Sequence, residues 1–123
     1  MNIFWAREVP SDWNAVREEM ERLFELSREA ARAGESFVYV VCNDDLLGRR
    51  GAGNAMVACG LLSAARTAAV EGSRKDWRVN VVAYDEGTDT ALVDEWARRL
   101  LEGEGVTGEV VRIGPGHLGK ALP

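Results

Sequence analysis

The chain of 123 residues contains one histidine, two cysteines and three prolines. Cys42 and Cys59 are too few for a secreted disulfide framework and lack metal-ligand spacing, so both read as buried thiols. No apolar run approaches the length that crosses a bilayer, and Met1 is not followed by the cationic flank and apolar core of a secretion signal. The expected location is therefore the cytoplasm, away from any membrane. Clustered cations are also missing. A net charge of −5 argues against a nucleic-acid partner, because phosphate binding needs a basic patch. The densest basic spots, Arg49-Arg50 and Arg74-Lys75, read as solvated loop ends.

What is present suits one soluble globular domain spanning 1–123, with 46 % hydrophobic and 28 % charged residues. Ile3-Phe4-Trp5-Ala6 predicts a first strand, and Ser11 or Asp12 can cap the helix that follows. Apolar residues at Trp13, Val16, Met20, Leu23, Phe24, Ala30 and Ala31 give that helix one stripe to Ala33, with Glu18 and Arg22 paired outside. Gly34 stops it. Residues 36–42 (SFVYVVC) read as a buried strand, and 43–51 as a loop. A long helix runs from Gly51 to about Glu71, and Val79 to Ala83 forms a strand apolar on both faces except at Asn80. Thr88 or Asp89 can cap a further helix ending near Leu101, with Leu92, Val93, Trp96, Leu100 and Leu101 inward. Glu109 to Ile113 is the last strand. The βαβαβαβ alternation predicts parallel strands joined by right-handed crossovers.

The long helix is crowded with small residues. Ala52, Met56, Gly60, Ala64 and Ala68 recur every fourth residue, and an interior glycine costs about 1 kcal/mol relative to alanine. A close packing partner along that face is the natural explanation.

This helix and its strand resemble the late part of the short-chain dehydrogenases/reductases, in which a small-residue helix leads through A-x-E into R-V-N-x-V-A. Here those elements are Ala69-Val70-Glu71 and Arg78-Val79-Asn80-Val81-Val82-Ala83. Asp12-Trp13 with Val16, then Ala30-Ala31, suit the family's preceding helix. Residues 106–113, with Thr107-Gly108, suit its last strand. The resemblance covers nearly the whole chain, but only the family's second half. It implies a truncated Rossmann-like, three-layer α/β fold with about four parallel strands and three main helices.

The resemblance also shows what is absent. The family's catalytic Tyr-x-x-x-Lys falls on Asn54 and Ala58, or in a shifted register on Gly51 and Ala55. Its serine falls on Cys42 or Asn43, and its helical asparagine on Met20. The cofactor loop would lie before Met1, and the N-N-A-G segment has no match near Phe4-Trp5-Ala6-Arg7. Two literal G-x-G-x-x-G matches, at 103–108 and 114–119, lack the strand-then-helix setting that cradles a pyrophosphate, so they read as turns. The expectation is that this chain alone binds no cofactor, and that NAD(P) would sit in a partner subunit.

Other chemistry has few candidates. Asn43, Asp44 and Asp45 follow a strand end, where open α/β sheets place their sites, and paired carboxylates could hold a metal or share a proton. Loop solvation and helix capping are the simpler reading. Cys42 beside them, with His117, could form a nucleophile–base pair only if the fold brings them into contact.

Because the family assembles through its two long helices, the resemblance implies an oligomer joined through Trp13, Met20, Leu23, Met56, Gly60 and Ala64. The tail adds Leu118 and Leu122 as docking residues. The leading expectation is a noncatalytic subunit paired with a complete, active short-chain dehydrogenase/reductase. The alternatives are a small stand-alone isomerase, dehydratase or cyclase using residues 42–45, and a self-associating remnant that binds a small ligand.

Overall fold

The computed structural model describes residues 1–114 of the chain. They form β1 (Ile3–Trp5), α1 (Trp13–Arg32), β2 (Phe37–Cys42), α2 (Asn43–Leu46), α3 (Ala52–Ser73), β3 (Val79–Tyr84), α4 (Thr90–Glu102) and β4 (Val110–Ile113). The four strands and three long helices stand where the sequence places them. One turn of helix, α2, replaces the start of the expected loop. The Asp12 carboxylate caps α1 by accepting from the N–H of Ala15 at 3.1 Å, and Asp89 caps α4 through Ala91 at 3.0 Å. Gly34, at φ 70°, ends α1 in a conformation that other residues avoid. No helix among the described residues is long and apolar enough to cross a membrane.

The sheet is wholly parallel, in the order β1-β2-β3-β4. Val16, Leu23 and Ala30 of α1 and Val57, Leu61 and Ala65 of α3 pack on the face that presents Phe37, Tyr39, Val41, Val79 and Val81. Val93 and Ala97 of α4 pack on the other face, against Val38, Val40, Val82 and Ile113. Each strand lies beside its predecessor on the same side, so a crossover through the opposite face has the opposite hand. The β3–α4–β4 connection therefore has the reverse sense of the first two. Because a right-twisted sheet makes about 98 % of such units right-handed, we assign the left-handed sense to this last one. The expectation of uniform right-handed crossovers is corrected here.

Asn80, the polar exception in β3, is buried and fully used. Its amide donates to the Val106 carbonyl at 2.9 Å and its oxygen accepts from the Glu109 N–H at 3.1 Å, which fixes the segment leading into β4.

The outer edge of β1 is covered from within the chain. Backbone bonds to β2 use Asn2 and Ala6, so the odd-numbered residues turn their backbone groups outward. Arg22 of α1 donates to the Trp5 carbonyl at 2.8 Å, and the Glu19 carboxylate accepts from the Arg7 N–H at 2.7 Å. The two side chains bind each other twice, at 2.8 Å each. Glu19, with 5 % exposure, is thus buried because it serves the sheet edge. The expected Glu18–Arg22 surface pair is replaced by this one.

Packing corrects other expectations. Leu23 is a core residue at 1 % exposure, at the floor of the α1–α3 face rather than on its surface. Cys59 is exposed, whereas Cys42 is buried as expected. On α4, Leu92 and Trp96 face outward, because the narrow stripe of Val93 and Ala97 suffices to seat one helix on the sheet; Arg99 lies over the Trp96 ring at 5.0 Å. The Asp94–Arg98 and Glu95–Arg99 pairs form as predicted. At Gly60 the close neighbour belongs to the same chain: a Cβ there would stand 3.2 Å from Met20 Cε.

Candidate functional site

Two surfaces qualify: the strand ends around residues 42–45, and the groove between α1 and α3.

At the strand ends, β2 passes directly into α2. Asn43 is buried, and its amide donates to Asp85 Oδ1 at 2.9 Å, tying the end of β2 to the end of β3. Its own oxygen has no partner. Asp44 turns to Arg49, 3.4 Å away, on the surface. Asp45 is buried and held by Arg50 through two bonds of 2.8 Å; Arg50 also lies 3.5 Å from Glu86. The paired hydrogen bonds outweigh partial burial and raise the guanidinium well above its ordinary value, so Arg50 stays charged. The two carboxylates are therefore separated, each with its own arginine, and do not form the shared-proton or metal pair considered from sequence. Among the described residues no three His, Cys, Asp or Glu side chains are grouped to hold a metal.

Burial pushes the Cys42 thiol up, against the opposing effects of a backbone hydrogen bond to Asp44 and the Arg50 charge. A buried thiol with a raised pKa is a poor nucleophile. His117, its proposed base, lies outside the described residues, as do Leu118 and Leu122. Tyr84 stands beside this region with its phenol pushed up by burial and its ring 5.8 Å from Trp5. Among the described residues the strand order does not reverse, so their strand ends form no switch-point crevice of the kind in which open α/β sheets bind ligands.

Sequence reasoning missed Arg50 and Asp85 here. Arg50 looked like a solvated loop end, and its five-residue offset from Asp45 matches no helical pairing rule. Asp85 reaches Asn43 across 42 residues, which no local signal reports.

The positions that correspond to the family's catalytic pair are structural. Asn54, in the first turn of α3, is buried. Its oxygen accepts from the Val9 N–H at 2.8 Å and its amide donates to the Arg50 carbonyl at 3.0 Å. Ala58 is buried one turn further on. Gly51, in the alternative register, adopts φ 98° ahead of the helix, and Ala55 is half-buried.

The α1–α3 groove is larger and apolar. It encloses about 1360 Å³ between Trp13, Met20, Phe24 and Ala31 on one side and Val57, Gly60, Ala64 and Ala68 on the other. Trp13 and Phe24 are 64 % and 62 % exposed, and Met56 and Val70 of α3 are 50 % and 64 % exposed. Of the interface residues named from sequence, Trp13, Met20, Leu23, Gly60 and Ala64 line this groove, and Met56 does not.

No family model and no curated protein matches the chain. Solved structures do. The chain is similar to a short chain dehydrogenase from Mycobacterium smegmatis, with TM-score 0.71 and 16 % identity over 95 % of this chain and 60 % of that one. It is similar to an oxidoreductase (short chain dehydrogenase/reductase) from Brucella ovis, with TM-score 0.63 and 23 % identity over 92 % and 60 %. A 3-hydroxyacyl-CoA dehydrogenase type-2 from Mycobacterium avium gives TM-score 0.61 and 18 % identity over 85 % and 57 %. At these identities the likeness is one of fold. The chain carries a Rossmann-like α/β fold shared with short-chain dehydrogenases/reductases, and spans only 57–60 % of the length of these structures.

Proposed function

We propose that the chain is a noncatalytic subunit that joins a complete short-chain dehydrogenase/reductase through its α1–α3 face and stabilises or shapes it. The observation that carries this reading is the concentration of exposed large apolar side chains on that one face: Trp13, Met20, Phe24 and Val70. Soluble monomers rarely leave so contiguous a patch open. Asn54 supports the noncatalytic part, since it is buried with its oxygen and its nitrogen both bonded to backbone groups, and an amide cannot pass a proton to a substrate oxygen as a phenol does. NAD(P) would then belong to the partner. The strand ends give the stand-alone isomerase, dehydratase or cyclase no comparable support, because Asp45 is held in an ion pair with Arg50 and Cys42 is buried.

Native mass spectrometry on tagged protein from its own host tests the proposal. The expected result is a stoichiometric adduct of roughly 25–30 kDa, one family-sized domain, that is lost in Phe24→Glu. Self-assembled species alone, or reduction of a carbonyl substrate by this chain with NADPH, would overturn it.

A further inference from the structure

We propose that the α1–α3 groove rejects a second copy of this chain and takes a helix of a different polypeptide, apolar along its length and acidic at one end. This rests on the α1–α3 face being an assembly surface; what it adds is the partner's charge and its foreign identity.

The groove's length points to a helix. Its lining runs from Trp13 to Arg32 along α1 and from Val57 along α3 to Lys75, just past that helix's end. At 1.5 Å per residue that is about 28 Å. Its volume of about 1360 Å³ also exceeds the roughly 300–1,000 Å³ typical of small-molecule pockets.

Its charge points to an acidic occupant. The chain carries a net charge of −5, yet Arg28, Arg32, Arg74 and Lys75 border the groove where both helices end. Among the described residues none of these four forms an ion pair. Helix dipoles account for a cation in a last turn, but not for four unpaired cations around one apolar trough. At the other end Arg17 and Glu21 already satisfy each other at 3.2 Å, which leaves Glu71 as the other lining carboxylate.

A second copy can meet this face in two ways. The parallel sheet makes α1 and α3 run in one direction, so aligned copies would press four cations onto four. Opposed copies would set those cations against the Arg17–Glu21 pair. Neither arrangement supplies an excess of carboxylates, because Glu21 is already paired with Arg17 and Glu71 stands alone among the four cations; like charges at the rim of an apolar contact work as selection against self-pairing.

Three synthetic probes of 20 residues test this: an amphipathic helix with a leucine stripe and glutamates at one end, the same helix with lysines, and a scrambled form of the first. Sedimentation of the purified chain should show monomer. Calorimetry should show the glutamate helix binding at least about tenfold tighter than the lysine helix, with the difference shrinking from about 50 to 500 mM salt. In Arg28→Glu/Arg32→Glu/Arg74→Glu/Lys75→Glu the preference should reverse; Arg28→Glu/Arg32→Glu serves if the fourfold variant does not fold. A dimer that Phe24→Glu breaks, equal affinity for both helices, binding of the scrambled probe, or saturable palmitate binding without helix binding would each overturn the proposal. A native heteromer that survives the fourfold reversal sinks this inference and leaves the proposed function standing. No heteromer at all sinks the proposed function, while a retained glutamate preference would uphold the acidic groove.

Discussion

Arg22 closes the backbone of Trp5: its Nη2 donates to that carbonyl at 2.8 Å, from a position 17 residues along the chain. Glu19 holds the guanidinium in place and covers the Arg7 N–H beside it. An open parallel edge invites strand addition; here an ion pair on α1 occupies part of it. That leaves less of the β1 edge free for extension of the sheet.

Removing the arginine should expose this edge. Arg22→Ala leaves the buried Glu19 carboxylate and the Trp5 carbonyl without their donor, and should cost about 2–4 kcal/mol, less than a fully buried pair because Arg22 is partly exposed. Urea unfolding measures the loss, and seeded thioflavin fluorescence should reveal faster aggregation than in wild type.

The same pair sets an acid limit. Burial pushes the Glu19 carboxyl up, but hydrogen bonds from Arg22 and the Arg7 backbone, with both charges, hold it below its ordinary 4.5. The unfolded chain therefore takes up this proton first. The contribution to stability is complete above about pH 4.5 and is lost as pH falls through the lower folded value. Glu19→Gln should flatten that part of the pH–stability curve and leave the behaviour above pH 6 unchanged in slope.

The two cysteines should react very differently. Cys59 is exposed and Cys42 is buried with a raised pKa. At neutral pH a thiol reagent should modify Cys59 quickly, with Cys42 slower by on the order of a hundredfold or more. Cys59→Ser should remove the fast phase, and urea should release the slow one. Rapid labelling in Cys59→Ser would revive Cys42 as a nucleophile.

Glycines on α3 should divide into two classes. At Gly72 a Cβ would lie 2.3 Å from the Trp77 carbonyl and 2.6 Å from its ring, and at Gly53 2.6 Å from the Pro10 carbonyl. Alanine at either site should destabilise by about 1–3 kcal/mol. At Gly60 the only close atom is the movable end of Met20, so Gly60→Ala should be neutral or stabilising by up to about 1 kcal/mol. Thermal melts of the three variants decide it.

Asn54 offers a direct check on its structural role. Asn54→Ala orphans the Val9 N–H and the Arg50 carbonyl, for about 1–3 kcal/mol of lost stability. Asn54→Tyr with Ala58→Lys, which restores the family's pair in sequence, should fold poorly and leave NADH fluorescence unchanged.

Repeating patterns were legible in the sequence, and single reaching side chains were not. The 3.6-residue stripe of α1 and the apolar runs of β2 and β3 announced the elements and their parallel pairing. Glu19 was invisible as a buried residue, since a glutamate on a surface helix pairs by default with a neighbour one turn away, and only the β1 edge recruits it. Leu92 and Trp96 looked buried because periodicity counts apolar residues without knowing how little sheet lies beneath a lone helix. At the candidate site, the absence of a Tyr-x-x-x-Lys pair at the start of α3 could be read directly, whereas the Asp45–Arg50 clamp required the turn at Gly48–Gly51 to be known.

The reversed sense of the β3–α4–β4 connection bears on the order in which the chain matures during synthesis. The segment through Tyr84 contains three neighbouring strands and both helices of one face, so it can close while the ribosome is still adding the remainder. The last unit must then pass around the β3 end to the bare side of a sheet already formed. That step is the natural point for hesitation, and a nascent chain stalled there would present Val38, Val40 and Val82 to whatever chaperone attends it.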